Sequence, residues 1–301
     1  MEVGMVGLGR MGGNMATRLV RGGHRVVGYA RTKETVDAAA ANGVVGAYAL
    51  TDLARALRPP RAVWLMIPAG APTEAMIDDL LGVLAPGDLL VDGGNTYYRD
   101  SIRHAQKVTA RGLRFVDVGT SGGIWGLAEG YSMMVGGEAA DVARLRPALE
   151  TLAPAKDAGW GHVGGVGAGH FVKMVHNGIE YGLMQSYAEG FAILKAKPDY
   201  PIDLAQVAGI WQRGSVVRSW LLDLIAAALK DPDALAHLAP YVQDSGEGRW
   251  TVKEAIDLDI PAPAITIALQ QRLRSREGDP FAEKLLAAMR QQFGGHAVKT
   301  E

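Results

Sequence analysis

The chain reads as an α/β domain over residues 1–164 followed by an all-α domain over residues 165–301. Three observations predict this. At 301 residues the chain exceeds what one hydrophobic core usually organises. Short apolar runs alternate with helical stretches through the first half, the pattern of a doubly wound parallel sheet, and the second half shows no such strand runs. The 39 glycines, about 13% of the chain against ~7% on average, concentrate before residue 170, where tight βα turns need them.

The first element is a strand over residues 2–6. It runs into Gly7-Leu8-Gly9-Arg10-Met11-Gly12, then a helix to about Arg21 and a second strand, Arg25–Tyr29. Strand, GxGxxG, helix and strand within ~30 residues make a dinucleotide fingerprint of the Rossmann type. In it Gly7 permits the turn, Gly9 lets a pyrophosphate approach the backbone, and Gly12 lets helix and strand pack closely. The second strand leads into Ala30-Arg31-Thr32-Lys33. No Asp or Glu stands there to bind a ribose 2′-hydroxyl, and Arg31 can bind a 2′-phosphate, so NADP is favoured over NAD. Further strands are expected at 62–67, which leads into Pro68, and at 89–92, 115–118 and 132–135. Two of them end in polar glycine loops, Asp92-Gly-Gly-Asn95 and Gly119-Thr-Ser121-Gly122-Gly123. Ligands of open α/β sheets bind at the carboxyl ends of strands, which makes Asn95 and Ser121 candidates.

Residues 159–169 read as a glycine-rich hinge. A long helix follows over about 168–195, with further helices at about 203–213, 215–229, 251–257, 262–275 and 280–292; residues 246–250 read as a loop. On the long helix Lys173, His176, Asn177, Glu180 and Tyr181 fall within an arc of roughly 140°. Phe171, Val172, Val175, Ile179 and Leu183 form the opposite, apolar stripe, expected to be the buried one. A lysine and a carboxylate about 10 Å apart on one face can supply a base and an acid to one small substrate.

Composition narrows the function. Hydrophobic residues make up 48% of the chain and charged ones 21%, as in a globular protein with ample core. A net charge of −1 argues against a nucleic-acid surface. The chain has no cysteine, which excludes disulfides, thiolate catalysis and cysteine metal sites. No metal-ligand cluster, signal peptide or membrane span is evident, so a cytoplasmic enzyme is expected.

Asp92-Gly-Gly-Asn95, Ser121-Gly122-Gly123 and Lys173-Met-Val-His-Asn-Gly-Ile-Glu-Tyr181 together resemble decarboxylating 6-phosphogluconate dehydrogenases, in a short form without the second helical repeat of the long enzymes. The resemblance covers essentially the whole chain. It implies oxidation of 6-phosphogluconate by NADP or NAD within the pentose phosphate pathway, yielding ribulose 5-phosphate and CO2. Lys173 would be the general base and Glu180 the general acid. Asn95, Ser121, Gly122, Gly123, His176, Asn177 and Tyr181 would surround the sugar acid. Gly246-Glu-Gly-Arg249 is similar to the family's phosphate loop, with Arg249 where long forms carry lysine, and Arg272 matches its phosphate-binding arginine. The tail from Arg290 to His296 resembles the segment that enters a neighbouring subunit's site, which implies a homodimer or homotetramer. Ile124-Trp125 departs from the acidic residues of long forms at this place.

Acting as base requires Lys173 to be neutral, against an ordinary lysine pKa of ~10.4. Three alternatives compete with this reading. A β-hydroxyacid dehydrogenase acting on an unphosphorylated substrate such as 3-hydroxyisobutyrate leaves Arg249, Arg272, Arg290 and His296 without a purpose. Imine-reductase-like enzymes usually lack the lysine. A non-catalytic NADP-binding regulator has no need of Lys173 with Glu180.

Overall fold

The computed structural model of the protein describes residues 1–294 and 299. The chain divides into two compact units, Met1–Asn177 and Gly178–Glu301.

The first unit is built on one sheet of β1 (Glu2–Val6), β2 (Arg25–Tyr29), β3 (Val45–Ala47), β4 (Ala62–Leu65), β5 (Leu89–Asp92), β6 (Arg114–Ser121), β7 (Ser132–Gly137) and β8 (Trp160–Gly164). Their order is β3-β2-β1-β4-β5-β6-β7-β8. Every neighbouring pair is parallel except β6 with β7. The connecting helices are α1 (Arg10–Arg21), α2 (Lys33–Ala40), α3 (Leu50–Ala56), α4 (Ala71–Leu81), α5 (Tyr98–Thr109), α6 (Gly126–Glu129) and α7 (Ala139–Leu152). Two apolar layers result. Met5, Leu19, Trp64, Val91 and Leu145 are among the residues of one, and Val6, Val63, Ile77, Leu90 and Phe115 among those of the other. Successive residues of β4 enter opposite layers, as do Met5 and Val6 of β1 and Leu89, Leu90 and Val91 of β5, and all of these are buried, which is why the strands read as short apolar runs. Strand order reverses between β1 and β4, and this switch point is where a doubly wound sheet opens a crevice for a ligand.

Helix α8 (Ala168–Ala196) starts in the first unit and continues into the second. Its N-terminus is fixed by Asp117, a fully buried carboxylate on β6, whose Oδ1 accepts from Gly167 N at 2.6 Å and Oδ2 from His170 N at 2.8 Å. The two bonds satisfy amide groups at the helix start that have no partner within the helix, and the negative charge suits the helix dipole there. Gly169 allows the close approach, because a Cβ there would lie 2.7 Å from the Asp117 carbonyl oxygen and 2.8 Å from Gly136 N.

The second unit contains the rest of α8 and α9 (Leu204–Trp211), α10 (Trp220–Leu229), α11 (Pro232–Ala236), α12 (Glu247–Asp257), α13 (Pro263–Arg274) and α14 (Phe281–Gly294). Phe191, Ala208, Leu222 and Ala226 form one small core, and Tyr181, Ala268 and Leu269 another.

Several expectations need correction. The segment 159–169 is not all hinge, since β8 pairs with β7 over Met133↔Trp160 to Gly136↔Gly164. Its glycines hid a strand whose partner supplies what its own side chains do not. Gly119–Ser121 belongs to β6 rather than to a loop, because antiparallel pairing with β7 extends to Ser121↔Ser132. Residues 247–250 form the first turn of α12, and 215–219 lie outside α10. The short β3 and α11 carry too few residues to show a period.

Candidate active site

The fingerprint sits at the switch point. Gly7 has φ +94°, and a Cβ on it would lie 2.8 Å from Ile67 Cγ2. A Cβ on Gly12 would strike the Gly7 carbonyl and approach Met66 Cβ to 2.9 Å, so only glycine lets α1 come this close. A Cβ on Gly9 would stand in open space. Beside it lies a cavity of about 540 Å³, lined among others by Gly7, Leu8, Gly9, Arg31, Thr32 and Pro68. Arg10, Met11 and Gly12 form the first turn of α1. Open space over Gly9 at the N-terminus of a 12-residue helix fits a dinucleotide pyrophosphate. A second cavity, of about 530 Å³, is bounded by Ala30, Arg31, Lys33 and Tyr48. No carboxylate is among its walls; the nearby Asp37 accepts from Tyr48 Oη at 2.6 Å.

The polar segments after β5 and within β6 meet. Asn95, in a left-handed conformation at φ 52°, accepts from Thr120 N through Oδ1 at 3.3 Å. Behind it Asp92 is fully buried; its Oδ1 accepts from Gly94 N at 3.1 Å and its Oδ2 from Thr96 Oγ1 at 2.8 Å. Burial alone would raise the Asp92 carboxyl. The His104 ring, 3.9 Å away, together with His170, Gly94 and Thr96, outweighs it and holds the group below its ordinary value. The carboxylate thus stays available to shape the turn that presents Asn95. Ser121 is half-buried, Gly123 exposed, and Gly122 has φ +131°. Ile124 and Trp125 are exposed on the 3₁₀ turn that follows, where Ile124 O accepts from Asn14 Nδ2 of α1 at 3.3 Å.

Lys173 lies over β6 in the same unit. A Cβ on Gly119 would collide with Lys173 Cβ and reach Lys173 Cγ at 3.1 Å, so this glycine makes room for the lysine. Lys173 is buried, 4% exposed, and its Nζ donates to Asn177 Oδ1 and lies 3.3 Å from His176 Nδ1. His176 Nδ1 is 2.9 Å from Asn177 Oδ1. The apolar stripe expected to be buried is not, since Val172, Ile179 and Leu183 are 36%, 53% and 47% exposed. The face carrying Lys173 packs inward instead, because Gly119 admits it.

In the second unit Tyr181 is buried, and its hydroxyl accepts from Ser245 N at 3.3 Å. The Arg272 guanidinium stacks 3.5 Å over the Tyr181 ring, and its Nη1 donates to Gln243 O at 2.9 Å. Arg249 Nε donates to Asp244 Oδ1 at 3.1 Å, and Arg276 Nη2 to Asp244 Oδ2 at 2.7 Å. Burial raises the Asp244 carboxyl, but hydrogen bonds from Arg249, Arg276 and Gly246 N prevail and leave it below its ordinary value. Glu180 is half-buried on α8, one residue before Tyr181. Arg290 is exposed on α14, and His296 lies outside the described residues. Sequence reasoning missed Asp117, Asp244 and Arg276. Asp117 did carry a signal, an acid inside the apolar run Phe-Val-Asp-Val, where a buried strand needs a reason for a charge.

A family model described as the NAD binding domain of 6-phosphogluconate dehydrogenase matches residues 2–164, and one for the C-terminal domain of that enzyme matches residues 169–284. The chain belongs to the 6-phosphogluconate dehydrogenase family. An NAD(+)-dependent decarboxylating 6-phosphogluconate dehydrogenase of Haloferax volcanii is 42% identical over 299 residues, covering 99% of this chain and 98% of that one. The NADP(+)-dependent enzyme of Bacillus subtilis is 37% identical, over 91% of this chain and 61% of its own. Relatives in the 6-phosphogluconate dehydrogenase family therefore include users of either cofactor. Plasmodium falciparum 6-phosphogluconate dehydrogenase, described with NADP+ and with 6-phosphogluconate, superposes with a TM-score of 0.84 at 29% identity, covering 100% of this chain and 66% of that one. Mycobacterium tuberculosis 3-hydroxyisobutyrate dehydrogenase shares the fold at 22% identity and a TM-score of 0.69, covering 89% of this chain and 90% of that one. Among the described residues no helix is long and apolar enough to cross a membrane, and no cluster of histidine and acidic side chains could hold a metal.

Proposed function

We propose that the chain oxidises and decarboxylates 6-phospho-D-gluconate to D-ribulose 5-phosphate and CO2, with NAD(P)+ as the hydride acceptor. The observation that carries the reading is the buried Lys173, seated over Gly119 of β6 and hydrogen-bonded to Asn177. A bound nicotinamide supplies one function, accepting hydride from C3 of the sugar acid. Lys173, as the neutral amine, takes the C3 hydroxyl proton while hydride leaves. A buried amine carries its charge at a cost unless hydrogen-bonded, and Asn177 and His176 stand where they can bear the ammonium once it forms. That ammonium then polarises the C3 carbonyl, the 3-keto acid loses CO2, and Glu180 delivers a proton to C1 of the enediol. Asn95, Ser121, Gly122 and Gly123 hold the sugar acid together with His176, Asn177 and Tyr181. Arg249 and Arg272 bind the phosphate.

Arg31 and Lys33, without an opposing carboxylate, favour NADP. The exposed Val172, Ile179 and Leu183 support burial against a second copy, in keeping with a homodimer or homotetramer whose Arg290–His296 tail completes the partner's site. We place the protein in the cytoplasm, in the pentose phosphate pathway, with a functional boundary at 164/165. The test is turnover of 6-phosphogluconate with each cofactor, following CO2 release, in wild type and Lys173→Met. The variant is expected to lose ~10²–10⁴-fold in rate with cofactor affinity intact. Rates within tenfold of wild type would remove Lys173 as the base.

A further inference from the structure

In the second unit the segment 242–247 is wired to the end of α13 by side chains one helical turn apart. Arg272 donates to Gln243 O, Ser275 Oγ accepts from Val242 N at 2.9 Å, and Arg276 Nε donates to Val242 O at 3.0 Å. Residues 272 and 276 are i and i+4 in this run, so both guanidiniums reach the same stretch of backbone. Arg276 goes further. Its Nη2 and that of Arg249 meet on one oxygen, Asp244 Oδ2, at 2.7 and 3.3 Å. Asp244 is nearly closed off, with 5% of its side chain exposed, while 49% of Arg249 and 24% of Arg276 remain accessible. Among the described residues the Nη1 nitrogens of Arg249 and Arg276 make no hydrogen bond.

A buried carboxylate that already accepts from two guanidiniums and from Gly246 N has little left to offer a substrate. Its effect is to hold two planar forks in fixed places with donors turned away from it. Charge makes the point sharper. Two acids lie in this segment, Asp244 and the buried Glu247, which accepts from Ser245 Oγ at 2.8 Å. Against them Arg249 and Arg272 alone would leave the cluster neutral, a poor site for a phosphomonoester dianion. Arg276 makes it cationic.

We propose that Arg276 is the third arginine that the 242–276 cluster supplies to the phosphate site, positioned by Asp244, and that it gives this cluster the net positive charge by which a phosphorylated sugar acid is selected. The inference rests on the reading that this unit binds the substrate's phosphate.

The test is equilibrium binding, so that it does not depend on turnover. Titration calorimetry would measure 6-phosphogluconate, inorganic phosphate and cofactor with wild type, Arg276→Ala, Arg276→Lys and Arg272→Ala. A charge-assisted contact contributes ~1.5–3 kcal/mol, so Arg276→Ala should weaken both phosphate ligands by roughly ten- to hundredfold. Cofactor binding should hold, and Arg276→Lys should recover part of the loss. Should Arg276→Ala melt early, the lysine variant carries the test, since a lysine keeps the charge but not the fork. Phosphate and 6-phosphogluconate affinities of Arg276→Ala within twofold of wild type, with Arg272→Ala weakened, would overturn the proposal. So would equal losses for cofactor and phosphate, the mark of a merely structural arginine. Wild type that binds 6-phosphogluconate through Arg276 but never turns it over would sink the proposed reaction and leave this inference standing.

Discussion

Gly119→Ala tests the geometry on which the catalytic reading depends without replacing a candidate catalytic group. The added Cβ would lie 2.7 Å from Gly169 O and 3.1 Å from Lys173 Cγ, and would overlap Lys173 Cβ. Ordinary contact begins near 3.4 Å, so α8 must retreat from β6 by about 0.7 Å at Gly169, and further at Lys173. Asp117 resists that movement, because it holds Gly167 N at 2.6 Å and His170 N at 2.8 Å. Overpacking of this kind costs ~1–3 kcal/mol of stability. A reacting group displaced by ~1 Å loses ~10²-fold in rate. We expect kcat for 6-phosphogluconate to fall roughly ten- to hundredfold while NAD(P) affinity, set at the β1–β4 switch point, stays within twofold. Steady-state kinetics with a cofactor titration measures both, and Gly161→Ala on β8, where a Cβ meets nothing within 4 Å, controls for a generic loss of glycine. A folded Gly119→Ala enzyme with wild-type kcat would refute the placement of Lys173 as the base.

Other outcomes follow from the same structure. Ala30→Asp should move preference toward NAD, because a carboxylate beside the Arg31–Lys33–Tyr48 cavity repels a 2′-phosphate, and the ratio of kcat/KM values for the two cofactors reads this directly. Mixing Lys173→Met chains with Arg290→Ala chains, each inactive alone, should restore activity if the tail serves a partner's site; exchanged mixtures that stay dead place Arg290 within its own chain or outside the reaction. Asp244 has a lowered native pKa, so its stabilising contribution is complete above the ordinary carboxylate value of 3.8 and is lost as pH falls through the native value. Acid titration followed by circular dichroism should therefore show Asp244→Asn lacking that component. Tyr131 is buried with no partner for its hydroxyl among the described residues, and burial pushes it up to about 12. Stability should decline as pH rises from 10 toward about 12, and Tyr131→Phe should remove that decline without loss at neutral pH.

Local pattern was enough for much of this protein. The GxGxxG segment placed the tight turn and the close start of α1 in their strand–helix–strand frame, since Gly7 and Gly12 answer backbone demands made within ~30 residues. The 3.6-residue period placed Lys173, His176, Asn177, Glu180 and Tyr181 on one helix, because that spacing belongs to the helix alone. Tertiary structure decided what period and composition could not. Which face of α8 turns inward depends on a missing Cβ at Gly119, more than fifty residues away in sequence, so the stripe of Val172, Ile179 and Leu183 came out exposed although it is the apolar one. β8 exists because β7 offers it a ladder, and β6 runs on to Ser121 for the same reason. In sequence Asp117 stands between two valines and Asp244 between Gln243 and Ser245, and neither setting names the partners of its carboxylate. Only the fold brings the first to the start of α8 and the second between two arginines, because a charge is tolerated in the interior only where distant parts of the chain bring it partners.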